Sequence, residues 1–199
     1  MENKNKQQTG YHNYKLIKDI HYNSDGSIYT RYETEYDNNG NEIKFTLFNP
    51  DGSIDWWTEK EYDENNRQIK NICHNSDGSI NSWYEKEYDN NGKVIELTKY
   101  DSDGSIDWWR EMEYDANNRQ IKDIWHNSDG SINSWVEKEY DAKNRQIKYI
   151  NYKPDGDINS WHETEYDDNG NKVRCNCFDS AGKIQSVIEY EYQKSEITE

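Results

Sequence analysis

Residues 51–78 read DGSIDWWTEKEYDENNRQIKNICHNSDG, and most of the chain is this stretch over again. Asp-Gly occurs at Asp25-Gly26, Asp51-Gly52, Asp77-Gly78, Asp103-Gly104, Asp129-Gly130 and Asp155-Gly156, in steps of 26 residues, with an altered copy at Ala181-Gly182. A fixed period of this length marks a repeat architecture, in which each unit is one supersecondary element stacked on its neighbours. Each unit holds two turn signals. One is Asp-Gly, as in Asn49-Pro50-Asp51-Gly52-Ser53, and the other follows a Tyr-Asp pair, as in Tyr36-Asp37-Asn38-Asn39-Gly40-Asn41. Both suit two-residue type I′ hairpin turns, which need positive φ at both central positions. Asn66, Asn118 and Asn144 stand where other units carry Gly, and Asn is the best non-glycine occupant of left-handed backbone. The runs between turns are rich in Tyr, Trp, Ile and Thr and read as strands. The fold expected is all-β: an antiparallel meander of about seven 26-residue hairpin repeats, two strands each, elongated or gently superhelical.

Register follows from the turns. With Asn39-Gly40 central, Tyr36 faces Ile43 and Glu35 faces Lys44; steps of 26 residues repeat these pairs through Tyr62–Ile69 and Glu61–Lys70 to Tyr166–Val173 and Glu165–Arg174. Apolar and opposite-charge cross-strand pairs are the unit of sheet stability. Only Glu87–Glu96 breaks the charge rule. Period-2 alternation then separates two faces. The first carries Trp57, Trp83, Trp109, Trp135 and Trp161, each followed by glutamates two and four residues later, with His74, Tyr100, His126, Tyr152 and Phe178 expected opposite the Trp rings. The second carries the positions that vary most: Trp56, Ser82 and Trp108; Thr58, Tyr84 and Arg110; Cys73, Lys99 and Trp125. Regular positions build a sheet, whereas irregular ones are either unconstrained or free to specialise as a recognition surface.

Composition narrows the function. Hydrophobic residues make up only 31% of the 199, and many of them are Tyr (17) or Trp (8), so burial is expected to be thin and aromatic. The net charge is −16, from 40 acidic and 24 basic residues. Direct nucleic-acid binding is disfavoured, because phosphate recognition needs basic surface. A basic protein partner is favoured, since the field steers it in; the same charge also serves simply to keep an aromatic sheet soluble. No segment approaches the roughly 20 apolar residues of a membrane span, and the amino-terminal decapeptide lacks a signal-peptide core. Cys73, Cys175 and Cys177 read as reduced thiols, which places the chain in the cytoplasm. The chain divides into a cap or arm at 1–13, the array at 14–182, and a capping strand with tail at 183–199.

The segments EYDNNGNEIK, EYDENNRQIK, EYDANNRQIK, EYDAKNRQIK and EYDDNGNKV resemble the YD motif of RHS/YD-repeat proteins, over Ile28 to about Tyr192. That resemblance implies a sheet-rich hairpin repeat. Long members wrap hairpins into a shell around toxin cargo, and others belong to surface adhesion proteins. This unit is longer and more regular, and seven hairpins enclose too little for a cargo shell.

No enzymatic constellation emerges. The Asp-Gly loops lack the terminal bidentate glutamate of an EF-hand. The histidines His12, His21, His74, His126 and His162 form no close ligand set, and paired glutamates recur in nearly every unit where a catalytic dyad would occur once. Neither catalytic residues nor a metal or cofactor is expected. The reading is a non-enzymatic protein-binding repeat: an inhibitor docking on a basic nucleic-acid-binding protein, such as a nuclease or CRISPR effector, or an immunity protein neutralising a toxin. Its expected contact residues are Trp56, Trp57, Trp108, Trp109 and Trp125 with Glu59, Glu61, Glu85, Glu87, Glu111 and Glu113. Glutamates would stand in for phosphates and rings for stacked bases. The alternative is a glycan- or cell-surface-binding aromatic module.

Overall fold

The computed structural model describes residues 15–193. The expected cap at 1–13, with His12, and the tail at 194–199 lie outside the described residues. Fourteen strands follow one another: β1 (Lys18–Tyr22), β2 (Ile28–Tyr36), β3 (Glu42–Phe48), β4 (Ile54–Tyr62), β5 (Gln68–Asn75), β6 (Ile80–Tyr88), β7 (Val94–Asp101), β8 (Ile106–Tyr114), β9 (Gln120–Asn127), β10 (Ile132–Tyr140), β11 (Gln146–Tyr152), β12 (Ile158–Tyr166), β13 (Lys172–Asp179) and β14 (Ile184–Glu189). They form one sheet in chain order, each antiparallel to the next. Among the described residues only consecutive strands touch. The sheet is therefore open and one layer deep, as the scarcity of aliphatic residues requires.

With no second layer, burial comes from neighbours within the sheet. Ile150 is the one buried hydrophobic residue among those described, and Thr46, Thr58, Thr98, Asp123 and Thr164 are the buried polar ones. Aromatic packing takes over the role of a core. Trp57 stacks on His74, Trp83 on Tyr100, Trp109 on His126, Trp135 on Tyr152 and Trp161 on Phe178, with ring centroids 4.5–4.9 Å apart and near-parallel planes. These are the pairs expected from alternation. Offset stacks of this kind add about 0.5–1.5 kcal/mol beyond the area they bury.

The turns correct the expectation. Gly26 N donates to Asn23 O and Asn23 N to Ser27 O, so Ser24 and Asp25 are the central residues and Gly26 is the fourth. At the other end Gly40 N donates to Asp37 O and Asp37 N to Asn41 O. Each of the thirteen turns has one residue with positive φ, either Gly (80–95°) or one of Asn66, Asn118 and Asn144 (59–64°). These are type I turns closed by a left-handed residue and a bulge, not type I′ turns. Pro50 and Pro154 accordingly sit at the first central position, where a type I turn favours proline. The longer loop moves one partner. Glu61 pairs with Lys70 as expected, but Tyr62 pairs with Gln68 and leaves Ile69 as the bulge residue; the direct Tyr–Ile pairs do not form in any unit.

Side chains lock both turn types. At the Asp-Gly end Asp77 Oδ1 accepts from Ser79 N (2.9 Å) and Ser79 Oγ (2.6 Å), and Asn75 Nδ2 donates to Ser79 Oγ. The Trp ring of the preceding unit lies against the turn glycine, with Trp57 Cη2 3.6 Å from where a Cβ on Gly78 would stand. At the Tyr-Asp end Asp63 Oδ1 accepts from Asn65 N and Arg67 N, and Asp63 Oδ2 from Arg67 Nε at 2.6 Å. Arg67 then reaches the next turn, donating to Asp89 O at 3.3 Å beneath the Tyr88 ring. The Tyr hydroxyl completes the stitch: Tyr62 donates to Glu42 O at 2.8 Å, Tyr88 to Gln68 O at 2.7 Å and Tyr114 to Val94 O at 3.0 Å.

Candidate protein-binding face

Alternation places the expected contact residues on opposite sides of the sheet. Trp57, Trp109, Glu59, Glu61, Glu85, Glu87, Glu111 and Glu113 share the face of the Trp stacks. Trp56, Trp108 and Trp125 lie on the other, because Trp56 and Trp108 immediately precede stacked rings and Trp125 pairs with Arg110. A partner resting on one face meets one set or the other.

On the first face the glutamates form two rows that behave differently. The row nearer the Trp stacks is partly engaged within the chain. Glu85 receives Trp83 Nε1 (3.2 Å), Glu111 contacts His126 Nε2 (3.0 Å) and Glu137 receives the Tyr152 hydroxyl (2.7 Å). Partial burial, followed by that bond to Glu137, pushes the Tyr152 phenol up to about 12. The lysines lean to this row as well. Lys70 stands opposite Glu61 on one side and Glu85 on the other, and its Nζ lies 2.9 Å from Glu85; Lys148, between Glu139 and Glu163, lies 3.6 Å from Glu163. The expected pairing across the Tyr-Asp turn is thus right in backbone register, but the ammonium group turns to the strand beyond.

That leaves the outer row uncovered. Glu35, Glu61, Glu87, Glu113, Glu139 and Glu165 are exposed in every repeat. Among the described residues only Glu113 reaches an ion-pair partner, Lys122 at 4.0 Å. Two strands per repeat put successive members roughly 10 Å apart. Acid is densest where Glu96 replaces the usual lysine: Glu87 pairs with Glu96, and Glu96 with Glu111 across the next strand. Glu61, Glu85, Glu87 and Glu96, together with Lys70 and Lys86, line a shallow depression of about 390 Å³ there.

The second face carries two aromatic platforms. Tyr32, Phe45 and Trp56 succeed one another at 5.5–5.6 Å, and Tyr84, Trp108 and Trp125 at 5.1–6.0 Å. Arg110 lies 4.3 Å over the Trp125 ring and pairs with Asp123 through both its Nε and a terminal nitrogen. Asp123 is buried, and it was not among the residues expected at a site. Its signal was a charged residue at a position held in the other interior units by Phe45, Asn71, Leu97 and Tyr149, with only Asp19 of the first strand alike, and an arginine diagonally across the strand pair. Among the described residues no cluster of three or more His, Cys, Asp or Glu could hold a metal ion, and no helix is long and apolar enough to cross a membrane.

Fold and faces together define a single-layer β-hairpin repeat protein, with one acidic and one aromatic, variable face. The chain matches no protein-family model and no curated protein. Among solved structures it overlaps a TcdB2-TccC3 crystal structure lacking the hypervariable C-terminal region (TM-score 0.33, 11% identity), covering 80% of this chain and 11% of that one. It also overlaps the Photorhabdus luminescens Tc holotoxin pore carrying a TccC3 mutation (TM-score 0.24, 14% identity; 87% of this chain and 13% of that one). A third overlap is with a porin-like protein from Bacteroides uniformis (TM-score 0.31, 11% identity, 79% of each chain). The chain spans about a tenth of the two toxin chains. The scores describe a loose correspondence of sheet segments, and family membership does not follow from them.

Proposed function

We propose that this chain is a non-enzymatic, RHS-like hairpin repeat that binds a basic protein surface through its acidic face, acting in the cytoplasm as an inhibitor of a nucleic-acid-binding enzyme or as an immunity protein. The observation that carries this reading is the outer glutamate row: exposed in each of the six repeats that hold it and almost wholly without internal partners. Carboxylates already paired within the chain contribute little to a partner. Unpaired ones spaced along a stiff sheet offer a basic groove a line of negative charge, sparser than that of a nucleic-acid backbone, and complementarity of that kind raises association rate and specificity.

The test is competition. A panel of basic nucleases, including an RNA-guided one, is assayed for cleavage of a fluorescent oligonucleotide with and without the chain. Inhibition should be relieved by excess nucleic acid, should fade as salt rises, and should weaken when Glu61, Glu87 and Glu113 together become Gln. Binding indifferent to salt and to those changes would sink the reading. A second reading rests on the aromatic platforms of the opposite face, above all Trp56 and Trp108, which suit stacking on sugar rings. Glycan-array binding lost on Trp56→Ala and Trp108→Ala, with the glutamates dispensable, would favour it.

A further inference from the structure

We propose that the two end strands are complementary edges, so that β14 of one copy pairs with β1 of the next and the sheet continues from chain to chain. The argument starts from backbone direction. Tyr190 N donates to Val173 O at 3.1 Å, and Thr34 N donates to Ile17 O at 3.0 Å. In an antiparallel ladder alternate residues point to opposite sides. The peptide groups of Val187 and Glu189 therefore point away from β13, and those of Lys18 and Ile20 point away from β2. Both outer edges present donors and acceptors that no strand among the described residues takes up.

Side chains specify which strand each edge would accept. In the interior, every Trp-Glu strand is followed by a strand whose residues pair in fixed order: Trp57 with His74, Glu59 with Ile72 and Glu61 with Lys70. Strand β14 is of the Trp-Glu type: its Val187 and Glu189, and Glu191 two residues past its end, lie one period of 26 residues beyond Trp161, Glu163 and Glu165. Strand β1 is of the following type, with Lys18, Ile20 and Tyr22 one period before Lys44, Thr46 and Phe48. Superposing the interior register on the two ends puts Val187 opposite Tyr22, Glu189 opposite Ile20 and Glu191 opposite Lys18. Apolar meets aromatic, and acid meets base.

Exposure points the same way. From β3 to β13 the large hydrophobic residues that reach the surface are 36–38% exposed, whereas toward the ends Leu16 (67%), Tyr22 (62%), Tyr29 of β2 (64%), Ile184 (50%) and Ile188 (46%) are more so. An unpaired apolar edge is a template for another strand. Because the two edges differ, the contact is head-to-tail, and head-to-tail contacts that do not close give open assemblies rather than dimers. The net charge of −16 per chain opposes association at low ionic strength, so assembly strengthens as salt screens it. This dependence is opposite in sign to that of the proposed partner binding, so the two ideas fail separately.

Sedimentation velocity of the full chain over a wide range of concentration and salt is the test. The wild type should rise from one chain mass through successive integer multiples, more so at high salt. Glu189→Pro removes an outward N–H on β14, and Ile20→Pro removes one on β1; edge strands tolerate proline there. Each variant alone should stay monomeric. Mixed, they should form heterodimers and nothing larger, since each supplies the edge the other lacks, and that outcome also shows that both still fold. A wild type monomeric at every concentration and salt, assembly unchanged in both variants, or a monomer whose edge amides resist hydrogen exchange because its own chain covers them would each overturn the proposal.

Discussion

The two ends of the hairpins solve the same geometric problem by different means. At both, a type I turn closes on a left-handed residue and an aspartate accepts backbone N–H groups. The Asp-Gly end keeps its hydrogen bonds within the turn, Ser79 to Asp77 and Asn75 to Ser79, and neighbouring units meet there through a tryptophan ring lying on the next glycine. The Tyr-Asp end sends its bonds outward, Arg67 to the carbonyl of Asp89 and Tyr88 to that of Gln68. One edge is joined by apolar cover and the other by a polar chain. Beyond the backbone ladder, a single-layer sheet has these margins, and the stacks beside them, with which to couple its units.

The largest effects should come from what the two ends share. Gly104→Val and Asn118→Val each force a β-branched residue into positive φ (89° and 60°), and each should destabilise by about 1–3 kcal/mol in thermal or urea unfolding. Tolerance at one end but not the other would break the likeness of the turns. Next come the outward bonds. Tyr114→Phe removes the hydroxyl from Val94 O and should cost about 0.5–1.5 kcal/mol, with hydrogen exchange quickening in the Tyr-Asp turns on either side of the β7–β8 hairpin. Ser105→Ala should quicken exchange only in its own turn. Equal spread from both would erase the distinction between local and outward bonding. Arg119→Lys should be smaller again: it loses the bonds from the guanidinium to Asp141 O and Asn144 Oδ1, but Lys93 already serves under Tyr114.

The smallest effect is a pH dependence read at the Asp-Gly end, although the Tyr-Asp aspartates, Asp63 and Asp115 among them, are lowered as well. The Ser79 hydroxyl, then its N–H, holds the Asp77 carboxyl below the usual carboxylate range, and the same holds for Asp103 with Ser105 and Asp129 with Ser131. A carboxyl depressed in the folded state stabilises above the unfolded value of about 3.9 and loses that contribution as pH falls through its folded value. Replacing Ser79, Ser105 and Ser131 with Ala should therefore lower the melting temperature at neutral pH. The gap to the wild type should narrow below about pH 4. A gap constant with pH would assign the serines a role other than binding the charged carboxyl.

Strand number, order and most of the register were legible because the period fixes turn spacing and alternation fixes the faces; Trp57–His74 and Glu61–Lys70 follow from counting alone. The turn class was not, since Asp-Gly and Asn-Gly suit both a two-residue loop and a type I turn with a bulge. What separates them is one residue of loop length. The Asn and Ser side chains that flank four of the six Asp-Gly pairs, as at Asn75 and Ser79, carried that information. The acidic face was legible as a stripe, but its division into an engaged and a free row depends on where Lys70 and Lys148 turn their ammonium groups, which pairing rules leave open. Asp123 escaped notice because its half-buried ion pair with Arg110 needs two variable positions to be read together across strands.

Contacts confined to consecutive strands carry an evolutionary consequence. Deleting or duplicating one 26-residue block leaves every surviving junction with the neighbour it had before, so such a gene can change length by unequal crossing-over without passing through a misfolded product. The aspartate, glycine and tyrosine of each block are then held by the block next door, and the variable positions of the aromatic face are where copies can drift apart.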